Sequence, residues 1–240
     1  MNRQKQIRSV GKILILHLFP GMMLSLIYVL LLRFEVLIEY PKLIILAVAG
    51  SFTIIPIEMG CLFYVSKKES GSFNIFNILG LKSKLKVKEY VIYTIFLLGL
   101  AGIIMTALKP FSNYLLDSVF SWIPKWYNYN QEMELFRKSF IKISIVVSFL
   151  FFTVIGPITE ELYFRGYLLA RMKWMGKYSI LINTILFAVY HFWSPWLIIA
   201  RIAAFLPLFY FVYKKDSFKL GIFVHCLANF TDVLALMVLL

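Results

Sequence analysis

Long apolar runs separated by short polar segments lay out this 240-residue chain. Ile13–Leu32 is twenty residues without an acid, lysine or arginine, long enough at helical rise to cross a hydrocarbon core about 30 Å thick. Further runs cover about Leu43–Val65, Tyr90–Leu108, a stretch starting near Ile141, Ser179–Trp193, Trp196–Tyr213 and Leu220–Leu240. The pattern predicts an all-α, polytopic membrane helix bundle of about seven transmembrane helices, a single integral membrane domain over residues 1–240. Gly156-Pro157 predicts a kink in the fourth run, because proline removes a backbone donor and crowds the preceding turn. The fifth run is only about 22 Å long at helical rise, so a re-entrant pair with the sixth is the alternative there.

Composition agrees with the pattern. Hydrophobic residues make up 61% of the chain and mean hydropathy is +0.81, which excludes an ordinary soluble globule. The net charge of +13 does not call for nucleic acid, since the cations sit in short segments between apolar runs. The N-terminus carries Arg3, Lys5, Arg8 and Lys12, and 66–89 carries six lysines; 165–177 and 214–219 are also basic. These alternate with near-neutral connections at 33–42, 109–140 and 194–196. A cytoplasmic N-terminus places every basic connection on the cytoplasmic side, where anionic lipid is the expected contact. No A-x-A-like cleavage site follows the first run, so it is read as a helix and not as a signal peptide. The Lys, Ile and Phe-rich composition suggests the plasma membrane of a bacterium of low genomic GC.

Within the connections, Phe73–Leu81 is apolar enough to lie along the membrane surface. The 109–138 connection, rich in aromatics such as Trp122, Trp126 and Tyr127, reads as an ordered interfacial loop. His17 is expected at the interface as a packing or solvated histidine, and Cys61 and Cys226 as packing residues.

The chemistry concentrates in Gly156–Met172, where Glu160, Glu161 and Arg165 interrupt hydrocarbon side chains. Ionisable groups inside a span are costly and mark function by default. On a helix Glu161 and Arg165 stand at i and i+4 and pair. Glu160 projects about 100° away and is left available. His191 lies in the fifth run, with Phe187 one turn before it; His225 and Asn229 share a face of the last run. Asp232 shares that face too, where it could orient Asn229 or His225, or pair with Arg201. Glu58, in the second run, is read as functional or as a structural pair within the bundle.

Counted at helical rise from the cytoplasmic charges, Glu160 and His191 both lie about 20 Å up and Asn229 about 15 Å. Such a group suits hydrolysis. A carboxylate and a histidine can share and activate a water, while a second histidine and an amide donate to an oxyanion. Two histidines and a glutamate could also hold zinc, but no H-E-x-x-H occurs and the ligands come from separate helices. Asn229-Phe230-Thr231 matches a glycosylation acceptor but lies within a span. A proton relay through Glu58, Glu160 and Asp232 is the transporter alternative, disfavoured by the lack of internal repeats.

Glu160-Glu161-x-x-x-Arg165 with Gly166, Phe187-x-x-x-His191 and His225-x-x-x-Asn229 resemble the three motifs of the CAAX protease and bacteriocin-processing (Abi) family, in the family's order. The resemblance covers a motif core of about 141–240. It implies a metal-independent, cofactor-free intramembrane endopeptidase that cuts a membrane-associated peptide or protein and is reached from the cytoplasmic side. By that likeness Glu160 and His191 activate water, His225 and Asn229 form the oxyanion site, and Glu161 and Arg165 hold the site together. The family's immunity and scaffold members supply the non-catalytic alternative. Prenylated C-terminal peptides, bacteriocin leaders and peptide pheromones all stay open as substrates.

Overall fold

The computed structural model describes residues 5–240; Arg3 of the basic N-terminus lies outside them. Among the described residues the chain is all-helical, with one isolated antiparallel bridge, Lys82 to Ser217, and no strand. Six helices among the described residues are long and apolar enough to cross a membrane: α1 (Val10–Leu31), α2 (Lys42–Ser70), α3 (Val87–Ala107), α4 (Lys138–Leu169), α6 (Pro195–Lys214) and α7 (Phe218–Met237). Between them α5 (Tyr178–Tyr190) has 13 residues, about 20 Å of helix, and does not by itself cross a core of about 30 Å. The chain is a multi-pass membrane protein of roughly seven helices, in line with the apolar pattern.

Local chemistry sets the ends. Ser9 accepts from the Lys12 amide and starts α1. Lys67 and Lys68 occupy the last turn of α2, and Gly71 closes it at φ +72°, a left-handed conformation that glycine adopts without a Cβ clash. The Glu89 carboxylate accepts from the Lys86 amide at the start of α3.

Helix α4 is the axis of the bundle. Residues 159–172 are buried without exception, with α5 and α7 packed along its second half. Helix α3 stands at the edge and exposes Ile92, Ile95, Phe96 and Ile103, as a lipid-facing helix should. The α1–α5 crossing is close because residue 21 is glycine: a Cβ there would lie 1.9 Å from the Tyr190 carbonyl oxygen.

One connection and one histidine depart from the expectation. The 73–81 segment does not lie along the surface. Phe73 and Phe76 are exposed, but Ile75, Ile78, Leu79 and Leu81 are buried in the core, and the Gly80 amide donates to the Gly166 carbonyl at 2.7 Å. Burying four aliphatic side chains favours insertion over adsorption. His17 is likewise fully buried and not interfacial. Its Nδ1 donates to the Ile13 carbonyl at 2.7 Å and its Nε2 accepts from Asn183 at 3.0 Å, so it is a satisfied core histidine. The 109–138 connection is ordered and partly helical, and the Tyr127 hydroxyl ties it to the Phe192 carbonyl at 3.2 Å.

Candidate active site

Helix α4 departs from regular α geometry on both sides of Gly156-Pro157, with π-type turns at Ser148–Ile155 and Glu161–Leu169. Such wide turns frequently sit at functional sites. The Gly156 amide donates to the Phe151 carbonyl in this wide register. The next carbonyl, Phe152, would be served by the amide of residue 157, and proline has none. Asn229 Nδ2 donates to that oxygen at 2.7 Å instead. Proline thus anchors the α7 asparagine to α4.

Glu161 and Arg165 pair as the spacing requires, and both side chains are fully buried. The same Glu161 oxygen accepts from His225 Nδ1 at 3.0 Å. Arg165 is seated between rings, its guanidinium carbon 3.7 Å from the Phe209 centroid and 4.1 Å from that of Phe187. Aromatic faces attract a desolvated cation, which gives Phe187 a structural duty one turn from His191. Gly221 lets α7 approach this pair, since a Cβ there would stand 2.2 Å from Glu161 Oε2.

Glu160 faces elsewhere and makes no ion pair with Arg165. Its Oε2 is 3.8 Å from His225 Nε2, too long for a direct hydrogen bond and short enough for both to contact one water. Its Oε1 accepts from the Tyr190 hydroxyl at 3.2 Å, and the same hydroxyl is 3.0 Å from Glu58 Oε1. Glu58 therefore belongs to the edge of the site. His191 closes the C-terminal end of α5, with Nδ1 donating to the Phe187 carbonyl at 2.7 Å. A carbonyl only accepts, so Nδ1 carries the proton and Nε2 is the ring's free acceptor.

A cavity of about 500 Å³ brings these side chains together: Glu160, His191, His225 and Asn229 line it with Arg201 and Asp232. Glu161 and Arg165 stand behind its wall. Arg201 donates to the carbonyl and hydroxyl of Ser194, at 3.1 and 2.8 Å. Asp232 makes no ion pair with it among the described residues, and Asn229 and His225 are held instead by Phe152 and Glu161. No group of three His, Cys, Asp or Glu side chains among the described residues has metal-binding geometry. Cys61 and Cys226 are free and half-buried.

Tyr190, Phe209 and Gly221 escaped sequence reasoning. Tyr190 carried the one usable signal, a polar-tipped aromatic within a span beside His191, since a buried tyrosine hydroxyl needs a partner.

No curated protein and no solved structure matches the chain. Residues 142–231 match the family model described as "Type II CAAX prenyl endopeptidase Rce1-like", a segment that holds Glu160, Glu161, Arg165, His191, His225 and Asn229. Across those residues, then, this multi-pass membrane chain is similar to the Rce1-like CAAX prenyl endopeptidases.

Proposed function

We propose that the protein is a glutamate-dependent, metal-independent endopeptidase that hydrolyses a peptide bond of a membrane-associated peptide or protein. The observation that carries this reading is Glu160 beside His225 at 3.8 Å on the wall of a cavity also lined by His191 and Asn229. Glu160 takes a proton from water as the water oxygen attacks the scissile carbonyl carbon, and His191 Nε2 accepts the water's second hydrogen bond. Protonated His225, held through Nδ1 by Glu161, donates from Nε2 to the oxyanion, with the Asn229 amide alongside. Collapse of the tetrahedral intermediate breaks the C–N bond, and the proton on Glu160 passes to the leaving amine. The lysine-rich connections rest against anionic headgroups of a bacterial plasma membrane.

The test compares peptide termini from membranes holding wild type and Glu160→Gln at matched levels, with and without a chelator. Termini absent in the variant and retained under chelation support the reading. Termini lost to the chelator and restored by zinc would replace it with a metalloprotease. No difference between wild type and variant would leave a non-catalytic, partner-binding protein.

A further inference from the structure

The cavity lining runs from Glu160 and His225, deep in the bundle, to one end of it. Tyr129, Asn130, Gln131 and Glu134 of the 109–138 connection border it, with Leu43 near the start of α2 and Leu239 just beyond α7. All six belong to the end where the near-neutral connections lie. No lining residue comes from 66–89, 165–177 or 214–219.

The lysine-rich end is closed by its own contacts. The Phe218 amide donates to the Leu81 carbonyl at 2.7 Å, and the Ser83 hydroxyl to Asp216 at 3.0 Å. Lys173 pairs with Asp216 at 2.9 Å and Arg171 with Glu69 at 2.7 Å. Leu79 lies against Gly166, where an added Cβ would meet its methyl at 3.1 Å. The 73–81 segment is thus a plug across this end, directly behind the Glu161–Arg165 pair.

We infer that the site takes its substrate from the end opposite the lysine-rich connections. Positive connections stay in the cytoplasm, so that end is the extracytoplasmic one. This reverses the cytoplasmic access that the family resemblance implies. Rim charge narrows the substrate further. The exposed charged residues of the lining are Glu134 and Asp232, both acidic, while Arg201 is buried. An acidic rim complements a basic segment. The substrate class is accordingly an exported peptide, or the outward tail of a membrane protein, with basic residues beside the scissile bond. The substrate class rests on the protease reading; the side of entry does not.

The experiment uses full-length protein in cell membranes with Cys61→Ala and Cys226→Ala, carrying either Asn130→Cys at the rim or Lys84→Cys on the lysine-rich connection. A membrane-impermeant maleimide is applied to intact cells and then to permeabilised ones. Asn130→Cys should label in intact cells, and Lys84→Cys only after permeabilisation. The reverse pattern, labelling of both in intact cells, or protection of Asn130→Cys until permeabilisation would each overturn the inference. Labelling needs no turnover. The expected labelling without any Glu160-dependent cleavage would sink the protease reading alone and leave the side of entry standing.

Discussion

The Tyr190 hydroxyl stands 3.2 Å from Glu160 Oε1 and 3.0 Å from Glu58 Oε1 on α2, within donating distance of both. A phenol has one proton, so it serves one carboxylate at a time, and Glu58 sets how firmly Tyr190 holds Glu160. Tyr190→Phe should lower kcat roughly tenfold, about 1.4 kcal/mol of barrier, with KM little changed. Glu58→Leu should act the same way. Glu58→Gln, whose amide oxygen can still accept from the phenol, should recover most of the rate. Equal losses in the Leu and Gln variants would reduce Glu58 to a packing residue.

Removing Arg165 strands a buried carboxylate. Arg165→Met should cost about 3–5 kcal/mol, the usual penalty for breaking a buried pair from one side. Adding Glu161→Gln should return part of that stability, since the uncompensated charge is then gone. Thermal unfolding of the detergent-solubilised variants measures both. A double variant no better than the single would show that the aromatic seat matters more than the charge pair.

Gly221→Ala should destabilise by about 1–3 kcal/mol through overpacking and should abolish cleavage, because the new methyl displaces the carboxylate that holds His225 and Arg165. Gly60→Ala meets no atom within 4 Å and should be tolerated, or gain about 0.5–1 kcal/mol of helix stability. Matched unfolding and cleavage assays on the two variants separate a general aversion to alanine from this contact.

Pro157→Ala restores an amide that competes with Asn229 for the Phe152 carbonyl. Unfolding temperature should hold or rise while kcat falls, since Asn229 loses its anchor on α4. Unchanged kcat would mean that the Asn229 amide is positioned without that bond.

The family-level reading depended on residues that the sequence displays openly. Glu161 and Arg165 pair because helical spacing places them on one face, and that local relation survives the wide turns of α4. His225 and Asn229 share a face of α7 for the same reason, and both line the cavity. Tyr190, Phe209 and Gly221 matter through contacts with residues 30 or more positions away, and no local period carries that information.

The chain's order of apolar and basic segments was enough to determine a multi-pass helix bundle, because a bilayer admits only segments that satisfy their own backbone. It was also enough to place Glu58, Glu160, Glu161, Arg165, His191 and His225 inside, though not His17. Tertiary packing alone decided what each one faces: Glu58 joins Glu160 through Tyr190, Arg201 turns to Ser194 and away from Asp232, and 73–81 becomes a plug. Helix period settles direction around one axis, whereas partners across the bundle depend on how close two axes come, and here glycines at 21 and 221 set that distance.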